Sequence, residues 1–337
     1  MTLATIARKL AGLVIVVLGV TLITFVISHK IPGDPARLLA GPRASAQAVQ
    51  QIRAELGLDQ PILIQYGRYV RELAHGDLGT SIVTSRPVLD DVLQVLPATV
   101  ELVLTALFVA TLLGVTLGSL AAVYRGRLLD KSVRLLATLS ISVPSFWFAL
   151  VLLLIFYGAF DLLPGDGRLT PGIDAPARVT GLYLIDALIA RDATAFKDAF
   201  AHIVLPAATL AFASVGGVIR LIRSSMIEVL QEDYIRTAVA SGLRWRTIVF
   251  NYALRNALIP FITVMGLELG SLLFGSVVVE MAFAWPGVGA YVLNAIFSLD
   301  FPAIMGFTVV VSIAYVLINV LVDLLYRVVD PRIRSVA

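Results

Sequence analysis

Six apolar stretches, separated by more polar segments, dominate the pattern of this chain. A helix needs about 20 mostly apolar residues to cross the hydrocarbon core of a bilayer, and every stretch is close to that length or longer. We therefore predict an all-α polytopic membrane protein with six transmembrane helices. The six stretches are Leu10–Ser28, Ala98–Tyr124, Ser132–Phe160, His202–Leu221, Ala257–Phe283 and Ala303–Tyr326.

The composition supports a membrane protein and excludes several classes of function. Of the 337 residues, 58% are hydrophobic and 15% are charged, whereas an ordinary soluble domain carries about 25% charged residues. The net charge of +3 gives no global indication of nucleic-acid binding. Because the chain contains no cysteine, disulfides, thiolate zinc sites, iron–sulfur clusters and thiol nucleophiles are excluded.

The basic residues predict the orientation in the membrane. Six spans place both termini on one side, and the segments of that side hold 15 Arg and Lys residues in about 70 positions. The opposite segments hold 11 in about 125 positions, so the positive-inside rule places both termini in the cytoplasm. The first stretch follows Arg8 and Lys9 and has no small-residue cleavage site before His29, which indicates an uncleaved signal-anchor.

The segment 31–96 is the longest of those predicted to face outward, and its pattern indicates two short helices. Ser45 can cap the first, with Gly57 as its stop. Pro61 opens the second, which Gly76 closes. Neither helix is long enough to span. The insert can pack over the outer ends of the bundle, and it can form a docking platform for an external partner. The two interpretations are compatible.

Charged residues and prolines within the predicted spans are candidates for a translocation path, because placing them in hydrocarbon costs free energy. Glu268 lies deepest, and it is explained equally well by lining a path or by an interhelical hydrogen bond. Glu101 and Glu280 lie near the outer ends of their spans, where carboxylates more often reach the interface. Pro144, followed by Ser145, predicts a kink in the third span that either faces a cavity or is a structural bend.

Gly114 and Gly118 in the second predicted span indicate packing rather than chemistry. They form a small-xxx-small pair on one face of the helix. Such pairs let two helix backbones approach closely. We predict a tight helix contact there.

The sequence contains no arrangement of residues typical of an active site. None of its three histidines belongs to H-E-x-x-H, no G-x-S-x-G occurs, and no lysine follows the glycine of a Walker A loop. We predict no catalytic residues, no metal ligands and no cofactor bound by this chain. Energy from a nucleotide would have to come from another subunit.

The segment 223–257, between the fourth and fifth spans, is the most informative. Apolar residues recur at helical spacing on both sides of Gly242, from Ile227 to Ala238 and from Trp245 to Tyr252. Two short amphipathic helices meeting at a glycine could present a corner to a cytoplasmic partner. A helix lying in the lipid headgroups explains the same spacing equally well.

This segment resembles the EAA loop of ATP-binding-cassette importer permeases, in the variant of the dipeptide/oligopeptide/nickel group. The general motif has a glutamate and two alanines where this chain has Arg236, Thr237 and Ala238, and a late proline where it has Arg255. Both departures are themselves similar to that group. The similarity to its B-type subunit covers nearly the whole chain. The residues that carry it are Asp233–Leu243, Leu254–Pro260, Pro32–Pro35, Leu56–Pro61, Gln65–Tyr66, Gly76–Ser81, Pro144–Trp147, Glu280, Phe283–Gly287, Asn319–Asp323 and Asp330–Arg332.

The resemblance implies a type I importer fold with a helical extracytoplasmic insert after the first helix. Residues 1–96 would form the first helix and insert, and residues 97–337 the permease core. It also implies a heterodimer with a homologous second permease subunit, two ATPase subunits that bind ATP and Mg, and an extracytoplasmic substrate-binding protein. The chain would be a multi-pass protein of a bacterial or archaeal cytoplasmic (inner) membrane, in contact with lipid and not with nucleic acid.

The resemblance further implies that the loop docks in a groove on the ATPase. Gly242 would permit the close turn, and Trp245 or Ile248 would add apolar contact. The residues implied in this coupling are Arg236, Thr237, Ala238, Ser241, Gly242, Leu243, Trp245 and Ile248.

The substrate that we expect is a di- or oligopeptide, with nickel complexes or glutathione as alternatives served by the same group. Two other classes of protein stay open on the residues alone. A secondary transporter would use ionisable residues at the midplane and inverted repeats, of which the sequence offers only Glu268 and no obvious halves. A membrane-embedded enzyme would need polar catalytic groups at matching depth.

Overall fold

A computed structural model describes residues 3–30, 37, 44–55 and 57–329. Within these residues the regular structure is helical, and extended pairing is limited to an isolated bridge between Thr80 and Pro87. Pro32–Pro35 and Asp330–Arg332, two segments of the family resemblance, lie outside the described residues. In chain order the helices are α1 (Leu3–Lys30), α2 (Ala46–Glu55), α3 (Ile62–Ala74), α4 (Val88–Val123), α5 (Leu128–Ser142), α6 (Ser145–Leu152, continued as a π-helix over Leu153–Ala159), α7 (Tyr183–Ala190), α8 (Ala193–Val229), α9 (Asp233–Ala240), α10 (Trp245–Thr247, continued as a π-helix over Ile248–Leu254), α11 (Arg255–Ala282), α12 (Val288–Phe297) and α13 (Phe301–Val329).

Most of the predicted spans coincide with helices of membrane-crossing length. Four described helices, α4, α8, α11 and α13, contain apolar windows long enough to cross a bilayer, and α5 with α6 makes a fifth if the pair is one span. Helix α1 contributes a shorter apolar stretch over Ala11–Ile27. The predicted helical membrane fold is therefore confirmed, whereas the count of six spans stays a prediction.

The third predicted span is broken rather than gently kinked. Helix α5 ends at Ser142 and α6 begins at Ser145, and the two axes differ by 107°. Val143 has an extended backbone with ψ of 123°, because the ring of Pro144 disfavours helical geometry in the residue before it. Proline thus ends one helix and starts another, which is a larger change than the predicted kink.

The two predicted helices of the outer insert are present at the expected places. The Ser45 hydroxyl accepts a hydrogen bond from the Ala48 N–H at 3.2 Å, which caps α2. Gly57 and Gly76 both have positive φ, of 66° and 81°, and each follows the end of a helix as a left-handed glycine commonly does. Helix α3 begins directly after Pro61.

One compact unit comprises the described residues of Met1–Leu96 together with Val288–Leu317. Asp300, which is almost fully buried, accepts hydrogen bonds from the Ser81 hydroxyl at 2.5 Å and the Val83 N–H at 3.1 Å. These bonds tie the segment before α4 to the start of α13. The apolar core around them contains Leu78, Val88, Val92, Val288, Ala295, Ala303 and Val309.

The second unit comprises Pro97–Gly287 with the described residues of Ile318–Ala337. Helix α8 is its most enclosed span, since 72% of its apolar window is buried against 39% for α4 and 33% for α11. The predicted close contact at Gly114 and Gly118 is confirmed: a Cβ on Gly114 would lie 2.4 Å from the Val218 side chain, and one on Gly118 would lie 2.9 Å from the Ile219 carbonyl oxygen. Helices α4 and α8 therefore pack backbone to backbone at this point.

Candidate functional site

The loop between α8 and α11 begins with α9, a short helix that is separate from α8 rather than a continuation of it. The periodicity from Ile227 to Ala238 suggests one continuous helix, but α8 ends at Val229 and α9 starts at Asp233. Glu232 has an extended backbone with ψ of 149°, so the chain changes direction there. Asp233 in the first turn of α9 is a favourable anionic neighbour for the helix N-terminus.

A left-handed glycine ends α9. Gly242 has φ of 73°; its N–H donates to the Val239 carbonyl at 3.0 Å, and the Leu243 N–H donates to the Ala238 carbonyl at 3.3 Å. This is the type of helix ending in which glycine satisfies the last carbonyls at no steric cost. No atom lies within 4 Å of the position that a Cβ would occupy, so the backbone conformation, not lack of space, requires glycine.

One face of this loop is anchored to the spans. Ile235, Ala238 and Ile248 are 2%, 6% and 1% exposed. They belong to one apolar cluster with Ile222 and Met226 of α8 and with Ala257 and Phe261 of α11. The position of α9 is therefore tied by close packing to α8 and α11, because a packed interior resists deformation.

The opposite face is exposed and apolar at the turn. Val239, Leu243 and Trp245, which we name the exposed corner, are 52%, 39% and 50% exposed. Of the residues that the family resemblance implies in coupling, Arg236, Thr237, Ser241, Gly242, Leu243 and Trp245 lie on the surface. Ala238 and Ile248 do not: their side chains face the cluster, so the exposed corner offers Trp245 but not Ile248 to a partner.

Glu101 of α4 lies in a buried polar cluster rather than at an open interface. Its carboxylate accepts the Arg168 Nη2 at 2.5 Å and the Leu184 N–H at 2.7 Å, and it is 6% exposed. Arg168 also donates to the Gly181 carbonyl at 3.1 Å and stacks its guanidinium over the Tyr183 ring at 3.5 Å. The expectation that this carboxylate reaches the interface is wrong, because Arg168, from the segment between α6 and α7, pairs with it inside the protein.

Glu280 of α11 is likewise fully buried and hydrogen-bonded. Its Oε1 accepts from the Thr99 hydroxyl at 2.6 Å and the Ser276 hydroxyl at 3.1 Å. A Cβ on Gly287 would lie about 2.4 Å from this carboxyl group, so only glycine fits beside it. Trp285 Nε1 donates to the Ala98 carbonyl at 2.9 Å and closes the same region. These contacts indicate a structural position for Glu280.

Glu268 differs from the other two glutamates. It lies in α11, is half-buried, and makes no hydrogen bond or ion pair with any described residue. Pro144 is exposed at the α5–α6 break, and Ser145 beside it is half-buried. The interhelical hydrogen bond that could explain Glu268 is not found within this part of the chain, and its role in a translocation path stays a prediction.

Asp186, in α7, orders the end of the segment between α6 and α7, the segment that supplies Arg168 to Glu101. Its carboxylate, 1% exposed, accepts hydrogen bonds from Thr180 and Gly181 backbone N–H groups, both at 2.8 Å, and from the Thr180 hydroxyl at 2.7 Å. Burial opposes ionisation of this carboxyl, but the hydrogen bonds outweigh it and hold the pKa of Asp186 below its usual value. Arg168 and Asp186 carry no sequence pattern that marks them, because their partners come from distant or irregular segments.

Comparison with known proteins places the chain among membrane transport components. The family model for the binding-protein-dependent transport system inner membrane component matches residues 114–335, and the model for the N-terminal part of such membrane components matches residues 2–103.

Curated relatives match over nearly their full length. The chain is 58% identical over 322 residues to the probable D,D-dipeptide transport system permease protein DdpB of Escherichia coli K12, covering 96% of this chain and 95% of the relative. It is 40% identical over 332 residues to the dipeptide transport system permease protein DppB of Alkalihalophilus pseudofirmus, covering 98% and 99%. It is 38% identical over 327 residues to the glutathione transport system permease protein GsiC of Salmonella paratyphi A, covering 97% of each.

The long apolar helices and these matches define a helical membrane permease, the component that provides the passage and not the one that hydrolyses ATP. The chain belongs to the family of binding-protein-dependent transport system inner membrane components. Such permeases work with ATPase and substrate-binding partners. The predicted resemblance to ATP-binding-cassette importer permeases is therefore confirmed.

Proposed function

We propose that this chain is one of two permease subunits in an ATP-driven importer of dipeptides and short oligopeptides. Support for peptides comes from the relatives named for dipeptide transport, at 40% and 58% identity. The higher identity is to a protein named for D,D-dipeptides, so we include these among the substrates. The second permease subunit is a homologue of this chain, and a substrate-binding protein delivers the peptide from outside.

The orientation that we propose places both termini and the exposed corner in the cytoplasm of a bacterial or archaeal inner membrane, with six spans. The denser basic residues of the segments on that side support it. The outer loop that contains Arg168 and Asp186 then faces the substrate-binding protein. Residues 1–96 act as the first span and the outer insert, and residues 97–337 as the core of the permease.

The observation that carries the mechanism is that the exposed corner lies on a loop whose other face is buried against the spans. Leu243 and Trp245 present apolar surface to an ATPase groove, and Ile235 and Ile248 fix that surface to α8 and α11. Closure of the ATPase pair around ATP and Mg moves two such corners together and favours the outward-open state of the bundle. Hydrolysis favours the inward-open state. The requirement is that each ATPase state prefers one membrane state in binding free energy.

ATP and Mg bind the ATPase subunits, and this chain supplies no ligand to either. Its contribution is mechanical. The substrate path runs between the two permease subunits, and Glu268 is our candidate for a group that faces it. An acidic side chain facing the path would be complementary to the α-ammonium group that peptides share. Pro144 and Ser145 lie at the break between α5 and α6, where irregular backbone is tolerated only beside protein or water.

The docking role can be tested in the reconstituted complex. Leu243→Ala combined with Trp245→Ala is expected to lower co-purification of the ATPase and ATP-dependent uptake of a labelled dipeptide by at least about tenfold, the equivalent of about 1.4 kcal/mol. The matched control is Leu162→Ala, another exposed leucine, which follows the π-helix that continues α6; it is expected to leave both quantities unchanged. Normal uptake and normal ATPase retention by the double variant would refute the proposal.

The orientation can be tested with the same protein because the chain contains no cysteine. A single cysteine is introduced by Ser241→Cys in one variant and by Val179→Cys in another, both at exposed positions. A membrane-impermeant maleimide added outside intact cells is expected to label only Val179→Cys. Labelling of Ser241→Cys from outside would place the corner on the wrong side for an ATPase.

A glutathione importer is the second candidate, supported by the 38% identical relative named for glutathione transport. Competition decides between the substrates. In proteoliposomes with the complete complex, excess unlabelled L,L-dipeptide or D,D-dipeptide is expected to block uptake of labelled dipeptide, whereas glutathione does not. Uptake of labelled glutathione that resists dipeptide competition would establish the alternative.

A further inference from the structure

An ion pair between a buried carboxylate and a half-buried guanidinium, whose side chains are 2% and 21% exposed, joins two parts of the second unit next to the loop that we propose as the ATPase contact. Asp130, in the first turn of α5, is 1% exposed. Its Oδ1 accepts the Arg223 Nε at 2.7 Å, and its Oδ2 accepts the Arg223 Nη2 at 3.0 Å. Two parallel bonds between a guanidinium fork and a carboxylate fix both the distance and the relative orientation of the two groups.

The carboxylate has a third partner that fixes the turn between α4 and α5. The Gly126 N–H donates to Asp130 Oδ2 at 2.9 Å, and Gly126 has φ of 82° in this turn. Asp130 therefore holds the turn and Arg223 at the same time. Arg134 also approaches Asp130, at 3.6 Å, but its side chain is 54% exposed, so this contact is a screened surface pair.

Arg223 lies close to the loop that we propose the ATPase moves. It stands six residues before the end of α8 at Val229, which is about 9 Å along the helix. The adjacent Ile222 belongs to the apolar cluster that contains Ile235, Ala238 and Ile248 of the loop. A force applied at the exposed corner thus reaches Arg223 through packed side chains before it reaches any other long-range polar contact of α8 in the described chain.

Elsewhere along α8, close packing against α4 and α5 makes the contact. Gly114 and Gly118 hold α4 close to α8, and Gly216 of α8 lies against Ser140 and Ala137 of α5. These are packing contacts between helix surfaces. The bidentate pair adds a directional constraint at the end of α8, because movement of α8 relative to α5 would break two charge-assisted hydrogen bonds to a buried carboxylate.

We propose that the Asp130–Arg223 pair is the positioning contact that makes α4 and α5 follow α8 when the ATPase moves the loop. The pair touches neither substrate nor ATP. Loss of the pair lets the end of α8 move without the two preceding helices, so that ATP is hydrolysed while the passage fails to open. This inference rests on the proposed function, since it assigns the residues that pass motion of that loop on to α4 and α5.

The test compares peptide uptake with ATP hydrolysis in the reconstituted complex with its substrate-binding protein. For Asp130→Asn, which keeps the size of the side chain and an acceptor for Gly126, we expect intact assembly, ATP hydrolysis within about twofold of wild type, and at least about tenfold fewer peptides imported per ATP. Arg223→Lys, which keeps the charge but loses the fork, is expected to give an intermediate ratio. Arg134→Gln is the matched control and keeps the wild-type ratio, because an exposed pair contributes little.

The ratio of peptides to ATP separates a positioning role from a merely structural one. An unchanged ratio in Asp130→Asn, whether both rates stay normal or both fall in equal proportion, would overturn the inference. If Asp130→Asn fails to assemble, Arg223→Lys decides by the same ratio. Failure of the wild-type complex itself to couple ATP hydrolysis to peptide uptake would instead refute the proposed function, so the two failures are distinguishable.

Discussion

Arg168 and Glu101 form a buried ion pair, 67 residues apart in sequence, in which the guanidinium and the carboxylate are 8% and 6% exposed. The pair fastens the loop after α6 to the helix α4. Because Arg168 also contacts Tyr183 and the Gly181 carbonyl, the cluster organises the whole segment before α7. Two charges that would be costly in isolation are thereby neutralised inside the second unit.

Removal of one partner of this pair is expected to destabilise the protein strongly. Glu101→Ala leaves the Arg168 guanidinium buried without its counter-charge, at a cost of about 3–5 kcal/mol in the free energy of unfolding. Thermal unfolding of the purified chain in detergent measures the change. Combining Glu101→Leu with Arg168→Met is the control, and it recovers part of the loss because no charge is left behind. An unchanged melting temperature for Glu101→Ala would show that the pair contributes nothing.

A side chain at Gly242 is expected to impair transport through backbone strain. Gly242→Val forces a β-branched residue into a left-handed conformation, which costs about 1–2 kcal/mol for an ordinary L-residue, and so displaces the exposed corner. We expect normal membrane insertion and reduced ATP-dependent dipeptide uptake. Gly242→Asn is the control, because asparagine tolerates this conformation and no atom obstructs its Cβ. Equal uptake by both variants would contradict the strain argument.

Trp245 and Ile248 are expected to fail in different ways although they are three residues apart. Trp245→Ala removes exposed surface, so it lowers ATPase binding and leaves thermal stability within about 0.5 kcal/mol of wild type. Ile248→Ala opens a cavity in the cluster around Met226 and Phe261 and lowers stability by about 2–5 kcal/mol. Melting curves and ATPase pull-down measure the two effects. The assignment is wrong if the substitutions show the reverse pattern.

The contact between α4 and α8 predicts a difference between two glycines. Gly118→Ala places a methyl group 2.9 Å from the Ile219 carbonyl oxygen, and the resulting displacement of backbone costs about 1–3 kcal/mol of stability. Gly217→Ala, on the same α8 helix, meets no atom within 4 Å and is expected to be neutral or slightly stabilising. The comparison is made by thermal unfolding in detergent. An unchanged melting temperature for Gly118→Ala would contradict a tight backbone contact between α4 and α8.

Asp186 predicts a dependence of stability on pH. Hydrogen bonds keep its pKa below the usual value in the folded protein, so its carboxylate stabilises the fold above the unfolded pKa of about 3.9. That contribution is lost as the pH falls through the lowered pKa. Asp186→Asn is expected to reduce the melting temperature at neutral pH, and the difference from wild type should shrink on acidification. A difference that is independent of pH would exclude the carboxylate charge as its cause.

Local sequence features predicted much of the secondary structure. Ser45, Gly57, Pro61 and Gly76 mark the ends of α2 and α3 because caps and left-handed glycines act within a few residues. Pro144 marked the interruption of the third span for the same reason. The 107° bend at that point could not be predicted, because its size depends on what α5 and α6 pack against.

The loop shows the limit of periodicity most clearly. Trp245 and Ile248 are both apolar residues on a helical pattern, yet one is 50% exposed and the other 1% exposed. Periodicity identifies an apolar face, but it does not say how much of that face the neighbouring helices cover. Ile248 lies in one buried cluster with Met226 of α8 and Phe261 of α11, and this cluster joins residues that the sequence separates.

The sequence by itself determined that this is a helical membrane protein, where its long apolar helices run, and to which permease family it is similar. Apolar length and glycine or proline at helix ends are sufficient for the first two conclusions, because each acts over a short stretch of chain, and short motifs such as Asp233–Leu243 carry the third. Only the tertiary structure decided which charges are neutralised and which surface is left open, as for Glu101 with Arg168 and for Asp130 with Arg223. The energy of a buried charge depends on its partner, and these partners are brought together only by folding.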